Sequence, residues 1–308
     1  MKKISNGRPK ITCSRREAMA RIGAASAGAL LPQVQTQDFA GPADERGRRL
    51  RPLKLAGQRA ALSITPVSPH TLRITVAAAS DDGKSQALES DPVLVEREWP
   101  APALQINSLG APQRRPWGEF QIFATTQPLA IGIRGERSRI VPRLVIEDDG
   151  SVSFSRGVAP LFGLGEGGAQ FDRGGNNFPP QNGQGPGLDV LGARVGIPLV
   201  VSADGWALFF HRPFRSFDLT GEEARLNPLP SQNALPLDFF LITSENPADI
   251  FAEYARLTGF PQLPPIWSLG YQQSHRTLAS REEILSEAKT FRDKKLPCDL
   301  MIYLGTGF

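Results

Sequence analysis

Residues 266–304 read IWSLGYQQSH RTLASREEIL SEAKTFRDKK LPCDLMIYL, and the hydrophobic period changes twice along them. Leu263-Pro264-Pro265 and the residues up to Tyr271 form a proline-bounded lead into a short strand. Ser280-Arg281-Glu282-Glu283 matches a capping box, in which the serine accepts a backbone N–H and the glutamate reaches back. Ile284, Leu285, Ala288 and Phe291 then make one face at helical spacing. Lys294 and Lys295 stand at the end where the helix dipole favours cations. After Leu296-Pro297, the run from Asp299 to Leu304 is almost continuously apolar, as a parallel strand covered on both faces requires. The order is strand, helix, strand: one βαβ unit. Two parallel strands neither bury both faces nor close a barrel, so the unit reads as the start of a larger sheet.

Just upstream, Pro247 suits a first helical turn. Ile250, Phe251, Tyr254 and Ala255 give a helical apolar face, and Gly259 and Pro261 give the stop. Before Ser244 the period is two. Residues 61–76 read ALSITPVSPHTLRITV, with Leu62/Ile64 and Leu72/Ile74/Val76 alternating about a Ser-Pro-His break: a hairpin with one buried face. Phe120/Ile122 and Leu129/Ile131/Ile133 repeat the pattern. So do Leu144/Ile146 and Val152/Phe154 across the turn Asp148-Asp149-Gly150. Further apolar strands are expected at Ile197–Val201, Trp206–Phe210 and Leu237–Ile242. Frequent turns and no long helix predict a mainly β fold: an antiparallel β-sandwich, followed by the βαβ unit.

Gly163-Leu164-Gly165-Glu166-Gly167-Gly168 fits GxGxxG as letters, but no amphipathic helix follows, so a dinucleotide site is rejected. Glu166 would also repel a pyrophosphate. A tight turn between strands explains the glycines. The Asn-, Gln- and Gly-rich segment from Phe171 to Asp189 is long for a connection inside a domain. Arg173 and Asp189 are candidate contacts for sugar hydroxyls there, against the alternative of a solvated loop.

The chain has 308 residues with 40% hydrophobic and 21% charged, ordinary globular usage, and 30 glycines and 27 prolines that suit many turns. The net charge of +4 is concentrated at the front. Residues 1–40 carry Lys2, Lys3, Arg8, Lys10, Arg15, Arg16 and Arg21 against Glu17 and Asp38, so the rest is near neutral and offers no basic stripe for nucleic acid. Ser14-Arg15-Arg16 followed by the soft apolar stretch Ala18–Leu31 matches a twin-arginine type of signal peptide, with a disordered basic tail as the alternative. Its apolar core is too weak for a transmembrane helix. The expected location is periplasmic or secreted. Removal of the signal takes Cys13 with it and leaves Cys298 without a disulfide partner.

Phe162-Gly-Leu-Gly-Glu166, the stretch Ile197–Trp206 running on through His211–Phe214, and above all Tyr254–Ser274 (YARLTGFPQLPPIWSLGYQQS) resemble glycoside hydrolase family 31, the family of α-glucosidases and α-xylosidases. The likeness covers about residues 55–308. It implies a galactose-mutarotase-like sandwich leading into a (β/α)8 TIM barrel. It also implies a retaining mechanism in which one aspartate attacks the anomeric carbon and another serves as acid and base. The family places both after later barrel strands. They are therefore expected beyond residue 308, no catalytic residue is assigned here, and this chain alone is expected to be inactive. Two departures stand out. Leu304-Gly305-Thr306 lacks the Asp-x-Asp that many members carry after the second strand, and Ser274-His275-Arg276 stands where many have Ser-Arg.

The implied layout is a signal over residues 1–40, a linker over 41–55, the sandwich over 56–245, a helix and proline-rich connection over 246–264, and the barrel start over 265–308. Barrel sites lie at the C-terminal ends of strands, so Gln273, His275, Arg276 and Thr306 join Arg173 and Asp189 as candidate substrate contacts. Packing roles compete for His275 and Arg276. Tyr271 and Trp267 read as barrel core, His70 and His211 as structural, and Asp299 as a backbone or ion-pair partner. Three scattered histidines give no zinc spacing, and no cofactor is expected. The partner expected is an oligosaccharide or α-glycoside, with no nucleic acid and no membrane. A non-catalytic carbohydrate-binding sandwich is the competing reading, and the βαβ tail argues against it, because an apolar strand left unpaired invites aggregation.

Overall fold

The structure, a computed structural model, describes residues 50–88, 90–135, 141–167, 171–178, 195–212, 215–228, 233–276 and 278–304. The signal-like segment, Asp189 and Thr306 lie outside the described residues.

The chain enters a first sheet with β1 (Lys54–Leu55), turns at Ala56-Gly57 with positive φ at both, and continues as β2 (Gln58–Pro66) and β3 (Thr71–Ala78). The β2–β3 pairing sets Leu62 against Val76 and Ile64 against Ile74, the hairpin expected from the alternation. A short β4 (Leu104–Ile106) adds to β2. The chain then meanders through a second sheet as β5 (Gln113–Trp117), β6 (Phe120–Thr126), β7 (Leu129–Gly135), β8 (Leu144–Ile146) and β9 (Val152–Ser155). Thereafter it alternates between sheets. β10 (Leu161–Gly163), β12 (Leu199–Ser202), β13 (Trp206–Arg212) and β16 (Leu237–Thr243) join the first; β11 (Asn177–Phe178), β14 (Arg215–Asp218) and β15 (Glu223–Pro228) join the second. The first sheet runs β1-β2-β3-β16-β13-β12-β10 and the second β11-β14-β15-β9-β8-β7-β6-β5, with antiparallel neighbours throughout.

The fold is an antiparallel sandwich. Leu62, Ile64, Ile122, Phe154, Trp206, Leu208, Phe210 and Phe239 belong to the core cluster. In β13 and β16 the alternate positions are apolar too. Ala207, Phe209, Phe240 and Ile242 form a second cluster with Ile250 and Leu257 of α1 (Pro247–Thr258). The first sheet is thus buried on both faces at its centre, which is why these strands read as unbroken apolar runs.

Helix α1 starts at Asn246, whose side chain accepts from Ala248 N, and stops at Gly259 with φ 97°. Its buried stripe is Ile250, Glu253 and Leu257, with Tyr254 edge-on to Phe209 at 4.9 Å. Phe251, expected on that face, is 54% exposed. Glu253 explains the rotation. It is 6% exposed, and its carboxylate accepts from Ser68 Oγ at 2.7 Å, Thr71 Oγ1 at 2.5 Å and Arg256 Nη1 at 2.6 Å. A buried carboxylate requires such donors, so a polar anchor occupies the helix face beside Ile250.

The chain then forms a 3₁₀ turn (Ile266–Leu269), where the sequence suggested the lead into a strand, and β17 (Gln272–Arg276), α2 (Arg281–Asp293) and β18 (Leu300–Leu304) follow. β17 and β18 pair in parallel, Gln272 opposite Leu300 through Arg276 opposite Leu304. Ser280 Oγ accepts from Glu283 N, and Glu283 Oε2 accepts from Ala279 N at 2.8 Å, a capping box with the return bond one residue early. The expected double-sided burial is not reached: Leu300 to Tyr303 are half-buried, and Ile266, Leu269, Leu285 and Leu296 are exposed.

A buried ionic chain crosses the outer face of the first sheet. Arg73 donates from Nε at 3.0 Å and from Nη2 at 2.5 Å to Asp238, and Thr75 Oγ1 donates at 2.7 Å. His211 places Nε2 3.0 Å from Asp238 Oδ2 and Nδ1 2.9 Å from Asp91 Oδ2, and Arg212 Nε donates to the same Asp91 oxygen. Burial alone would raise both carboxyl groups. For Asp238 the hydrogen bonds from His211 and Arg73 outweigh it; for Asp91 those from Val93 N, His211 and Arg212 do. Both therefore lie below the ordinary 3.8. Their contribution to stability is present above that value and is lost as pH falls through the lower folded values. Thermal melts should accordingly fall on acidification below about pH 4. Asp238→Asn should cost about 3–5 kcal/mol at neutral pH by leaving Arg73 without its charge partner, and should flatten that acid limb. Equal acid slopes in the two proteins would contradict this.

Candidate functional site

In β17, odd-numbered side chains turn to α2. The Tyr271 ring lies 5.9 Å from that of Phe291, and its hydroxyl donates to Gln273 Oε1 at 2.6 Å. His275 Nδ1 sits 3.0 and 3.1 Å from the two carboxylate oxygens of Glu287. Glu287 and Phe291 are one helical turn apart, so they share the stripe of α2 that faces the sheet. Met301 and Tyr303 pair in register with Gln273 and His275 and share their side. Burial, and then the charge of Glu287, push the Tyr303 phenol up.

Alternation puts Gln272, Ser274 and Arg276, with Leu300 and Ile302, on the opposite face. The three strand candidates named from the sequence are therefore not brought together. Gln273 and His275 face the helix layer, and Arg276 faces the other way at the C-terminal end of β17. In a parallel βα unit that end, on the face away from the helix, is where a site forms. Ser274 shares the face of Arg276 and was not singled out from the sequence. The signal that finds it is the pairing of Tyr271 with Phe291 at the far end of the helix, which sets the parity of the whole strand. Asp299 donates its backbone N–H to Tyr271 O, and its carboxylate occupies the space a side chain at Gly270 would need.

Arg173 is 8% exposed, and burial pulls its guanidinium below its ordinary pKa. It donates from Nε to Gly163 O and from Nη2 to Gly165 O, both at 3.0 Å. These carbonyls belong to the glycine-rich turn, where Gly163, Leu164 and Gly165 have φ of 94°, 59° and 83°. A Cβ on Gly165 would stand 1.8 Å from Val195 O, so the turn takes the glycine both for its backbone angle and for the close approach. Asp172 Oδ1 accepts from Leu161 N at 3.0 Å and Gly174 N at 2.9 Å, bonds that hold its carboxyl below the usual range. Arg173 thus braces a turn from below. Among the described residues no group of His, Cys, Asp and Glu is placed to hold a metal ion.

The βαβ unit is also where a family model matches the sequence. Residues 261–303 match the Glycosyl hydrolases family 31 TIM-barrel domain. Over those residues the chain is similar to that family. An alpha-xylosidase of Saccharolobus solfataricus is 30% identical over 117 residues, 37% of this chain and 16% of that one. The neutral alpha-glucosidase AB of Homo sapiens is 40% identical over 65 residues, 21% of this chain and 7% of that one. A GH31 dextranase of Flavobacterium johnsoniae, complexed with glucose, shares the fold with a TM-score of 0.62 at 21% identity, covering 79% of this chain and 31% of the dextranase. The chain therefore spans a minor part of the length of these proteins.

If Arg173 is a brace, Arg173→Ala should lower stability by about 2–3 kcal/mol, and Arg173→Lys, which cannot reach both carbonyls in a fork, should recover little of it. Denaturant melts check this; a wild-type midpoint for Arg173→Ala would show that the turn stands without it.

Proposed function

We propose that this chain is the N-terminal part of an exported retaining glycoside hydrolase acting on α-linked sugars. The observation that carries the proposal is the parallel βαβ unit, whose sequence matches the family 31 TIM-barrel model and whose second face is only partly covered, with no further strand beside it among the described residues. A barrel supplies such cover, and its strand ends supply catalytic groups.

In the proposed organisation the sandwich spans 56–245, the connection 246–264 and the barrel start 265–308. Arg276 contributes to a sugar site from the end of β17, with Thr306 beyond the end of β18. Glu287 holds His275 against α2 and so fixes the strand whose other face carries Arg276. A retaining reaction needs two carboxyl groups about 5 Å apart, one as nucleophile and one as acid and base. On the face away from α2 the described end of β17 carries the Arg276 side chain and no carboxylate, so in this reading the chemistry falls to other barrel strands. Export rests on Arg15-Arg16 and the soft apolar stretch after them.

Two measurements test the proposal. The purified 308-residue chain should release no nitrophenol from aryl α-glucosides or α-xylosides; enzyme-dependent release would overturn its expected inactivity. The reading frame after the Phe308 codon should continue into further barrel strands carrying two aspartates. The protein from that longer frame should hydrolyse an α-glycoside with the α-anomer as first product, and β-anomer or no hydrolysis would overturn the mechanism or the enzyme reading.

A further inference from the structure

Leu88 and residues 90–99 pass over the outer face of the first sheet and leave a cleft of about 540 Å³ against Arg73. That size is in the range that holds small organic ligands. Arg73 forms the floor, gripped by Asp238 on one side and lying 4.3 Å over the Trp99 ring. Arg97 lies 4.8 Å over the same ring. The indole therefore has two guanidinium groups against it, and on Arg73 only Nη1 is clear of Asp238. Nη1 of Arg73, and the side chains of Arg97 and Glu96, enter no hydrogen bond or ion pair among the described residues.

The wall opposite is fixed as firmly. Asp91 accepts from Val93 N at 2.9 Å and is tied to His211 and Arg212 beneath. Buried ionic chains of this kind add little stability over apolar packing. What they supply is a lining held in one geometry, as a binding site needs. The charges around the cleft balance, with Arg73 and Arg97 against Asp91 and Glu96. A balanced lining gives a strongly charged ligand no net attraction. The lining combines guanidinium donors with the Glu96 carboxylate and the Ser90 hydroxyl, which suits a molecule whose groups both donate and accept, the character of a hydroxyl.

We propose that this cleft binds one or two rings of a neutral sugar. The site is lined by Arg73, Leu88 and residues from Ser90 to Trp99 of the sandwich and goes beyond the strand-end chemistry proposed above.

Maltose and xylose titrations followed by saturation-transfer NMR on the 308-residue chain test it, with glucuronate and glucosamine as charged comparisons. Saturable binding of a neutral sugar is expected, with the charged sugars weaker. Arg97→Ala should weaken it about tenfold, the effect of losing one charge-assisted hydrogen bond, with an unchanged melting temperature because Arg97 is exposed. Glu96→Gln, also exposed, gives a second measure and should weaken binding without altering the fold. No saturable binding of either neutral sugar, wild-type binding by both variants, or tighter binding of a charged sugar would overturn the proposal. An Arg276→Ala control separates the two sites. Binding lost there but kept in Arg97→Ala would overturn the cleft while favouring the strand-end site.

Discussion

Phe209 and Phe210 are neighbours in the chain and lie on opposite sides of one sheet. Phe210 stacks on Phe239 inside the sandwich, with ring centroids 4.4 Å apart, and Phe209 meets Phe240 and Tyr254 under helix α1. Most of the described structure follows from that double burial. Each fully covered aromatic contributes on the order of 2–3 kcal/mol, so the centre of the first sheet holds the second sheet on one side and the helix on the other. That helix leads the chain out of the sandwich and toward the βαβ unit. Glu253 sets its rotation, because a carboxylate taken into that interface has to find Ser68, Thr71 and Arg256.

Much of this was legible in the sequence. Period-two spacing in Leu62–Val76 and Phe120–Ile133 located the hairpins, and the capping box at Ser280 located α2. What stayed hidden depended on partners far away in the chain. Phe251 fits a helical apolar stripe as well as Ile250 does, and only the hydroxyls of Ser68 and Thr71 decide that Glu253 goes inside. Arg173 reads from the sequence as a candidate contact for sugar hydroxyls, because nothing in its neighbourhood announces that two carbonyls of a glycine turn accept from it.

The candidate site was legible to the nearest strand but not to the nearest face. Gln273, His275 and Arg276 are close in sequence, and proximity grouped them. A strand separates such neighbours by alternation, and the sense of the alternation is fixed by Tyr271 on Phe291 and His275 on Glu287. His275 therefore ties the strand to α2, while Arg276 looks out over the other side. The family relationship, carried by residues 261–303, gives that outward side its interest.

The two-stranded parallel sheet has a practical consequence for anyone handling the polypeptide. Among the described residues, β17 and β18 have only each other as neighbours. Among those residues each strand has one rim of amide and carbonyl groups without a strand partner, and Ile266, Leu269, Leu285 and Leu296 are exposed in the same unit. Such rims recruit any extended segment that drifts past. Where rims of this kind stand open, association between copies grows with concentration.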